Sequence, residues 1–270
     1  MKKMKTFILL LSIALIACES DSSYSLNGIE NSTDDSNLAL KHPTGFSVEN
    51  PSNPYDFVGQ IHNEILNEYI FNVEIKDTTI VGIKNSAKEI ALNNENFLEI
   101  LGDDDFVDMD DNFISAGIAD YQNNFSNVID SLSTGESGKT RLRELLNYVM
   151  NFEGTYYEYY DGLFYFEDEI LADNKLNVEE KEMILAATST ARYSFDFWFE
   201  FIKLDAGGFD YDEVINPTSK NSKGIGILII VGCDVLGAAG GLIFGGGVPG
   251  AVAIGSTASL IGGSIAGGIY

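Results

Sequence analysis

Cysteine and histidine are scarce in this chain. Cys18 and Cys233, His42 and His62 are the whole supply, and no spacing among them suits a metal cluster. His62-Asn63-Glu64 departs from the His-Glu-x-x-His pattern of a zinc hydrolase, so His62 is expected to be a surface or capping residue. Positive charge is short as well: 16 Lys and Arg stand against 41 Asp and Glu, a formal net charge of −25. Phosphate contacts need a basic face, so nucleic acid is excluded as a partner. Docking of the soluble part on anionic lipid headgroups is disfavoured for the same reason. The sequence also lacks a Gly-x-Ser-x-Gly turn, a Cys–His arrangement for a nucleophile and a carboxylate pair set apart by its spacing. No catalytic residue, cofactor or metal ligand is expected.

What is abundant is glycine, and most of it lies at one end. Fifteen of the 27 glycines fall in residues 224–270, where Asp234 is the single charge. Small residues recur there every four positions: Cys233, Gly237, Gly241 and Gly245, then Ala251, Gly255, Ser259, Gly263 and Gly267. On an α-helix that spacing forms one flat stripe, which lets helix backbones approach closely where lipid removes the hydrophobic drive. Gly245-Gly246-Gly247-Val248-Pro249-Gly250 divides the tail into two stretches, 225–244 and 251–269. Each is roughly 30 Å long as a helix, enough to cross a bilayer core. A helical hairpin that seeks membranes or other copies of itself is the expectation. Asp234, near the middle of the first stretch, and the many glycines make it a marginal span, suited to conditional insertion. The alternative is a hairpin buried in the protein's own core, with Asp234 paired to a lysine or a helix N-terminus.

The other end carries an export signal. Lys2, Lys3 and Lys5 precede an apolar run over 7–17, the layout of a secretory leader. Leu15-Ile16-Ala17-Cys18 resembles the bacterial lipobox. That resemblance implies removal of residues 1–17, acylation of Cys18 and anchoring in membrane lipid through its acyl chains. Cleavage near Ala17 with an incidental cysteine is the alternative. With Cys18 acylated, Cys233 has no partner for an intrachain disulfide. The mature chain then carries 13 basic and 41 acidic residues, or 13 − 41 = −28.

Between these ends the expected organisation is a flexible acidic tether over 18–50, an all-α globular domain over 51–216 and a linker over 217–223. The tether is rich in Ser, Asn and Asp and buries too little apolar surface to fold. Helical spacing starts at Asn53-Pro54, read as a cap and first helical residue. It recurs through 87–101, 113–132 and 142–152. Asn177 with Glu180 resembles a capping box opening the strongest helix, whose stripe is Ile184, Ala187, Ala191, Phe195, Trp198 and Ile202. Only 77–81 reads as a short strand. The fold class is therefore all-α with a C-terminal Gly-rich hairpin.

Two motifs invite chemistry and fail on spacing. Gly138-Lys139-Thr140 needs a glycine where Ser133 stands, and reads as a helix-start turn. The acidic run from Asp103 to Asp111 lacks the glycine and glutamate positions of a calcium loop, and reads as solvated capping charge. Two aromatic clusters, 156–166 and 193–201, hold more rings than one helix face can hide; inter-helix packing is the expected use.

Asn53-Pro54-Tyr55-Asp56, with Gly59 and His62-Asn63 following, resembles the opening of an uncharacterised group of secreted proteins and lipoproteins from Bacteroidetes-type bacteria. The likeness extends to 177–185, to Ala191-Arg192-Tyr193-Ser194 and to a glycine-zipper, bacteriocin-like tail, covering about residues 50–270. It implies an exported, lipid-anchored protein at the outer membrane or cell surface. Two functions fit: a tail that inserts into or oligomerises in membranes, or a non-enzymatic binding or structural lipoprotein whose tail is an anchor or a buried hairpin.

Overall fold

The longest helix organises the others. In a computed structural model, the described residues are 46–73, 77, 79–106, 108, 113, 116–117, 120, 125–206, 211, 214–215 and 222–267. Cys18, the leader, the tether up to residue 45, residue 216 and linker residues 217–221 lie outside them. The described residues form nine α-helices, two of them prolonged by a π-helical turn, and no strand. They belong to one compact unit, His42–Tyr270.

In chain order the helices are α1 (Asp56–Asn67, extended by Glu68–Asn72), α2 (Ile80–Ala91), α3 (Glu95–Leu101), α4 (Ser126–Ser131) and α5 (Glu136–Met150). Then come α6 (Tyr156–Ala172), α7 (Val178–Ala206), α8 (Ser222–Gly241, extended by Leu242–Gly246) and α9 (Gly247–Gly267). The 29-residue α7 packs against α1, α5, α6, α8 and α9, while α2 and α3 lie against α9.

Caps explain most boundaries. Asn177 Oδ1 accepts from Glu180 N at 2.8 Å and Glu180 Oε2 accepts from Asn177 N at 3.0 Å, the reciprocal box that starts α7. Glu180 Oε1 also accepts from Gly138 N at 3.1 Å, so one carboxylate serves two helix starts, and the Gly-Lys-Thr segment is a helix N-terminus filled from within. The expected helix over 87–101 is two: α2 ends at Ala91, and Asn94 caps α3 by accepting from Phe97 N at 2.8 Å. The expected strand at 77–81 is overturned. Thr79 accepts from Gly82 N at 3.0 Å and launches α2, so capping outweighs the β-branched run. Asn53 does not cap α1, which starts at Asp56. Its Oδ1 accepts from Tyr55 N and its Nδ2 is drawn into the core, donating to Glu167 and to the Leu185 carbonyl.

The body also begins before residue 51. Phe46 packs its ring against Tyr156, Tyr157 and Tyr160 at 5.4, 5.4 and 4.9 Å, and Val48 and Asn50 are buried. Most of the aromatic rings pack in the core: Tyr159 stacks on Phe195 at 3.8 Å, and Tyr156, Tyr160, Trp198 and Phe199 are fully buried, while Tyr165 faces solvent. The α7 stripe from Ile184 to Trp198 faces inward as expected.

The tail is a hairpin enclosed by the body. Along 227–241 every residue is buried except Ile229 and Cys233, which are partly so. That all-round burial is why the stretch shows no amphipathic pattern. Gly247 reverses the chain with φ +51°, a conformation that favours glycine.

Candidate functional site

A carboxyl of the hairpin sits at its packed centre. Asp234 on α8 has no exposure to solvent, and its Oδ2 accepts hydrogen bonds from Ser194 of α7 and, at 2.8 Å, from Ser259 of α9. Trp198 Nε1 donates to Ser259 Oγ at 2.9 Å. From α1 comes His62, fully buried, with Nε2 3.7 Å from Asp234 Oδ2. Four helices thus contribute to one polar cluster. The expectation of a surface or capping His62 is corrected, because the helical period places 58, 61, 62 and 65 on the face that meets α7 and α9.

The hydrogen-bond directions assign the ring's tautomer. Asn63 Nδ2 donates to the Tyr193 carbonyl at 2.7 Å, which leaves Asn63 Oδ1 facing His62 Nδ1 at 3.0 Å. Nδ1 therefore carries the hydrogen in the neutral ring, and Nε2 is a bare acceptor. Neither His62 Nε2 nor Asp234 Oδ1 has a hydrogen-bond partner among the described residues. Burial pushes the Asp234 carboxyl well above its ordinary value, against the pull of Ser194 and Ser259. Burial pushes His62 down to about 4, opposed by Asn63 and the Gly255 carbonyl.

Serine, histidine and aspartate together suggest a hydrolytic triad, but the connections are wrong. Ser194 donates to Asp234 rather than to His62, so the ring is not placed to take the hydroxyl proton. All three side chains are sealed from solvent.

The small-residue stripe is occupied within the chain. A Cβ added to Gly241 would overlap the Gly250 carbonyl, and one added to Gly237 would lie 2.9 Å from both Ala258 Cβ and the Ile254 carbonyl. Gly255 meets the His62 ring and Ala238, while Ser259 turns its hydroxyl to Asp234. Gly263 is buried. The stripe-mates Gly245 and Gly267 fall in helical backbone, and their surroundings lie outside the described residues. Sequence spacing missed Gly250, which is the true counterpart of Gly241 across the turn.

A second polar cluster lies where the chain enters α1. Fully buried Arg192 pairs with Glu167 at 3.1 Å and with Asp56, and also donates to the Val48 carbonyl. Asn50 and Asn53 each donate to Glu167 at 2.6 Å, and Tyr193 donates to Asp56 at 3.0 Å. Ser189 Oγ sits 3.1 Å from Gly59 N, whose α-carbon has no room for a side chain. The segments 53–63 and 191–194, far apart in sequence, are thus two sides of one contact.

Elsewhere, a groove of about 570 Å³ runs beside the hairpin turn, lined by Phe97, Leu101, Asp104, Asp105, Phe106, Ala253 and 246–250. Asp103, Asp104, Asp105 and Asp108 are exposed, and Lys88 pairs with Asp108 at 2.9 Å. No group of three His, Cys, Asp or Glu that could hold a metal ion occurs among the described residues. Asp196 and Glu200 form a third buried acidic site: Tyr156 donates to Asp196 at 2.5 Å and Tyr211 donates to Glu200. Burial pushes the Asp196 carboxyl up to about 7.

No family model, curated protein or solved structure matches this chain.

Proposed function

We propose that this chain is an exported, lipid-anchored, non-enzymatic protein of the bacterial envelope whose C-terminal hairpin is the core of its soluble body. The observation that carries the reading is Asp234: a carboxyl bonded by α7 and α9 inside the fold makes α8 part of the body rather than a free tail. The closure of Gly241 on Gly250 supports it as well, since the stripe has its partner within the chain. Membrane attachment then rests on Cys18, the acidic body stands off a like-charged surface, and a binding or structural role at the outer membrane or cell surface follows.

Two measurements test this. Palmitate should label the wild-type protein and not Cys18→Ser; equal labelling of both removes the anchor. The full-length Cys18→Ser protein should be a soluble monomer with a protease-resistant 226–263 segment, and a tail cleaved before the body would overturn the core assignment.

One observation favours a second reading, in which the hairpin inserts or self-associates in lipid after release. Gly226–Phe244 is a 19-residue apolar helix, long enough to cross a bilayer. Dye release from liposomes separates the two. Leakage by the native protein that Gly263→Leu abolishes supports insertion with helix–helix assembly. Absence of leakage supports the core reading.

A further inference from the structure

Asp234 is a carboxyl with no exposure to solvent, and no lysine, arginine or helix N-terminus bonds to it among the described residues. The groups that face it are His62 from α1, the Tyr159 hydroxyl from α6 within electrostatic range, Ser194 from α7 and Ser259 from α9, with Cys233 beside it on α8. Against α5, the helix presents Gly232 to the Met150 thioether rather than a charge. A lone carboxylate in such a place is strongly disfavoured. His62 offers a bare nitrogen toward the carboxyl, and His62 Nε2, Asp234 Oδ1 and the Tyr159 hydroxyl all lack a hydrogen-bond partner among the described residues.

We propose that His62 and Asp234 together hold one proton inside the fold, and that its loss above neutral pH unseats the hairpin. The proposal rests on the hairpin being seated in the body. It does not depend on which of the two side chains carries the proton, because the pair titrates as a unit.

The sign follows from counting protons. Below about pH 4 the unfolded chain and the fold both bind two, one on each residue. Between about pH 4 and 6.5 both states bind one. Above about 6.5 the unfolded histidine is neutral and the unfolded aspartate charged, so the fold holds one proton more. Taken singly, Asp234 is raised, so its contribution is lost as pH rises from the unfolded value. His62 is lowered, so its contribution is lost as pH falls from 6.5 toward about 4. The two terms cancel in the window between, which leaves a plateau with a falling alkaline side.

Trp198, the chain's one tryptophan, bonds to Ser259 within the cluster and reports the seat by its fluorescence. In the full-length Cys18→Ser background, denaturant unfolding is followed at Trp198 from pH 4 to 9. From pH 7 to 9 the unfolding equilibrium constant should rise about tenfold per unit more steeply than in Asp234→Asn, roughly a hundredfold in all. In His62→Gln the additional loss should begin near pH 4 instead of near 6.5, since the unfolded chain no longer has a histidine to hold the compensating proton. His62→Gln decides the matter alone if Asp234→Asn does not fold. Parallel slopes for wild type and Asp234→Asn, or an unmoved onset in His62→Gln, would overturn the proposal. Protease resistance of 226–263 at pH 6 tests the seating separately: a cleaved tail there rejects the core reading, whereas a resistant tail with parallel slopes rejects only the shared proton.

Discussion

Two of the buried polar clusters handle charge in opposite ways. At the entry to α1, Arg192, Glu167 and Asp56 are ionic, and their oxygens and nitrogens are matched by Asn50, Asn53, Tyr193 and the Val48 carbonyl. At the hairpin centre, Asp234 has only hydroxyl donors and a neutral ring beside it, with two atoms left over. The first arrangement fixes a chain segment, residues 46–56, onto α6 and α7 at any pH where Arg and Glu are charged. The second holds a hairpin by bonds that depend on a proton. A fully partnered buried ion pair is a rigid fastener, whereas an under-partnered neutral one is a titratable latch.

The contrast is broken most severely at Arg192. Arg192→Met leaves Glu167 buried without its cation and should cost about 3–5 kcal/mol in denaturant unfolding. Asp234→Asn at pH 6, which keeps shape and neutrality, should cost far less; an equal loss would mean that Asp234 is held as a charge. Next comes the packing of the hairpin itself. Gly241→Leu forces the Gly241 and Gly250 backbones apart and should cost at least about 1–3 kcal/mol in thermal unfolding. A more hydrophobic tail that leaves stability unchanged would show that the hairpin is not packed as described. The smallest effect lies outside both clusters: Asn177→Ala removes the cap of α7 and should cost about 1 kcal/mol, with helix content by circular dichroism nearly unchanged.

Most helices were legible because their signals are local. Asn177 and Glu180 announce α7, whose stripe from Ile184 to Trp198 is buried together with every other residue of 183–200. The break in the tail was legible from glycine and proline. What sequence hid was decided by contacts between distant segments. Asn53 looks like a cap, yet Glu167, 114 residues away, claims its amide. His62 looks like a surface residue, yet α8 and α9 close over it. The period of α1 places it on the buried face with Ile61 and Ile65, and that was the available signal. At 77–81, a run of β-branched residues masks the Thr79 cap that launches α2. Small residues at every fourth position mark a close-approach surface, but spacing alone does not say whether the partner is another chain, a lipid-embedded helix or the next helix of the same molecule. Here α9 takes that place.

The most direct test of the account is hydrogen–deuterium exchange over 226–263 in the full-length Cys18→Ser protein, in solution without lipid, at pH 6 and at pH 9. A seated hairpin has α8 and α9 exchanging as slowly as α7 at pH 6, only through unfolding, and all three speeding up at pH 9 by more than base catalysis of exchange alone gives. Rapid exchange of α8 and α9 at pH 6 while α7 stays protected would contradict it, because the hairpin would then be a free tail awaiting a membrane.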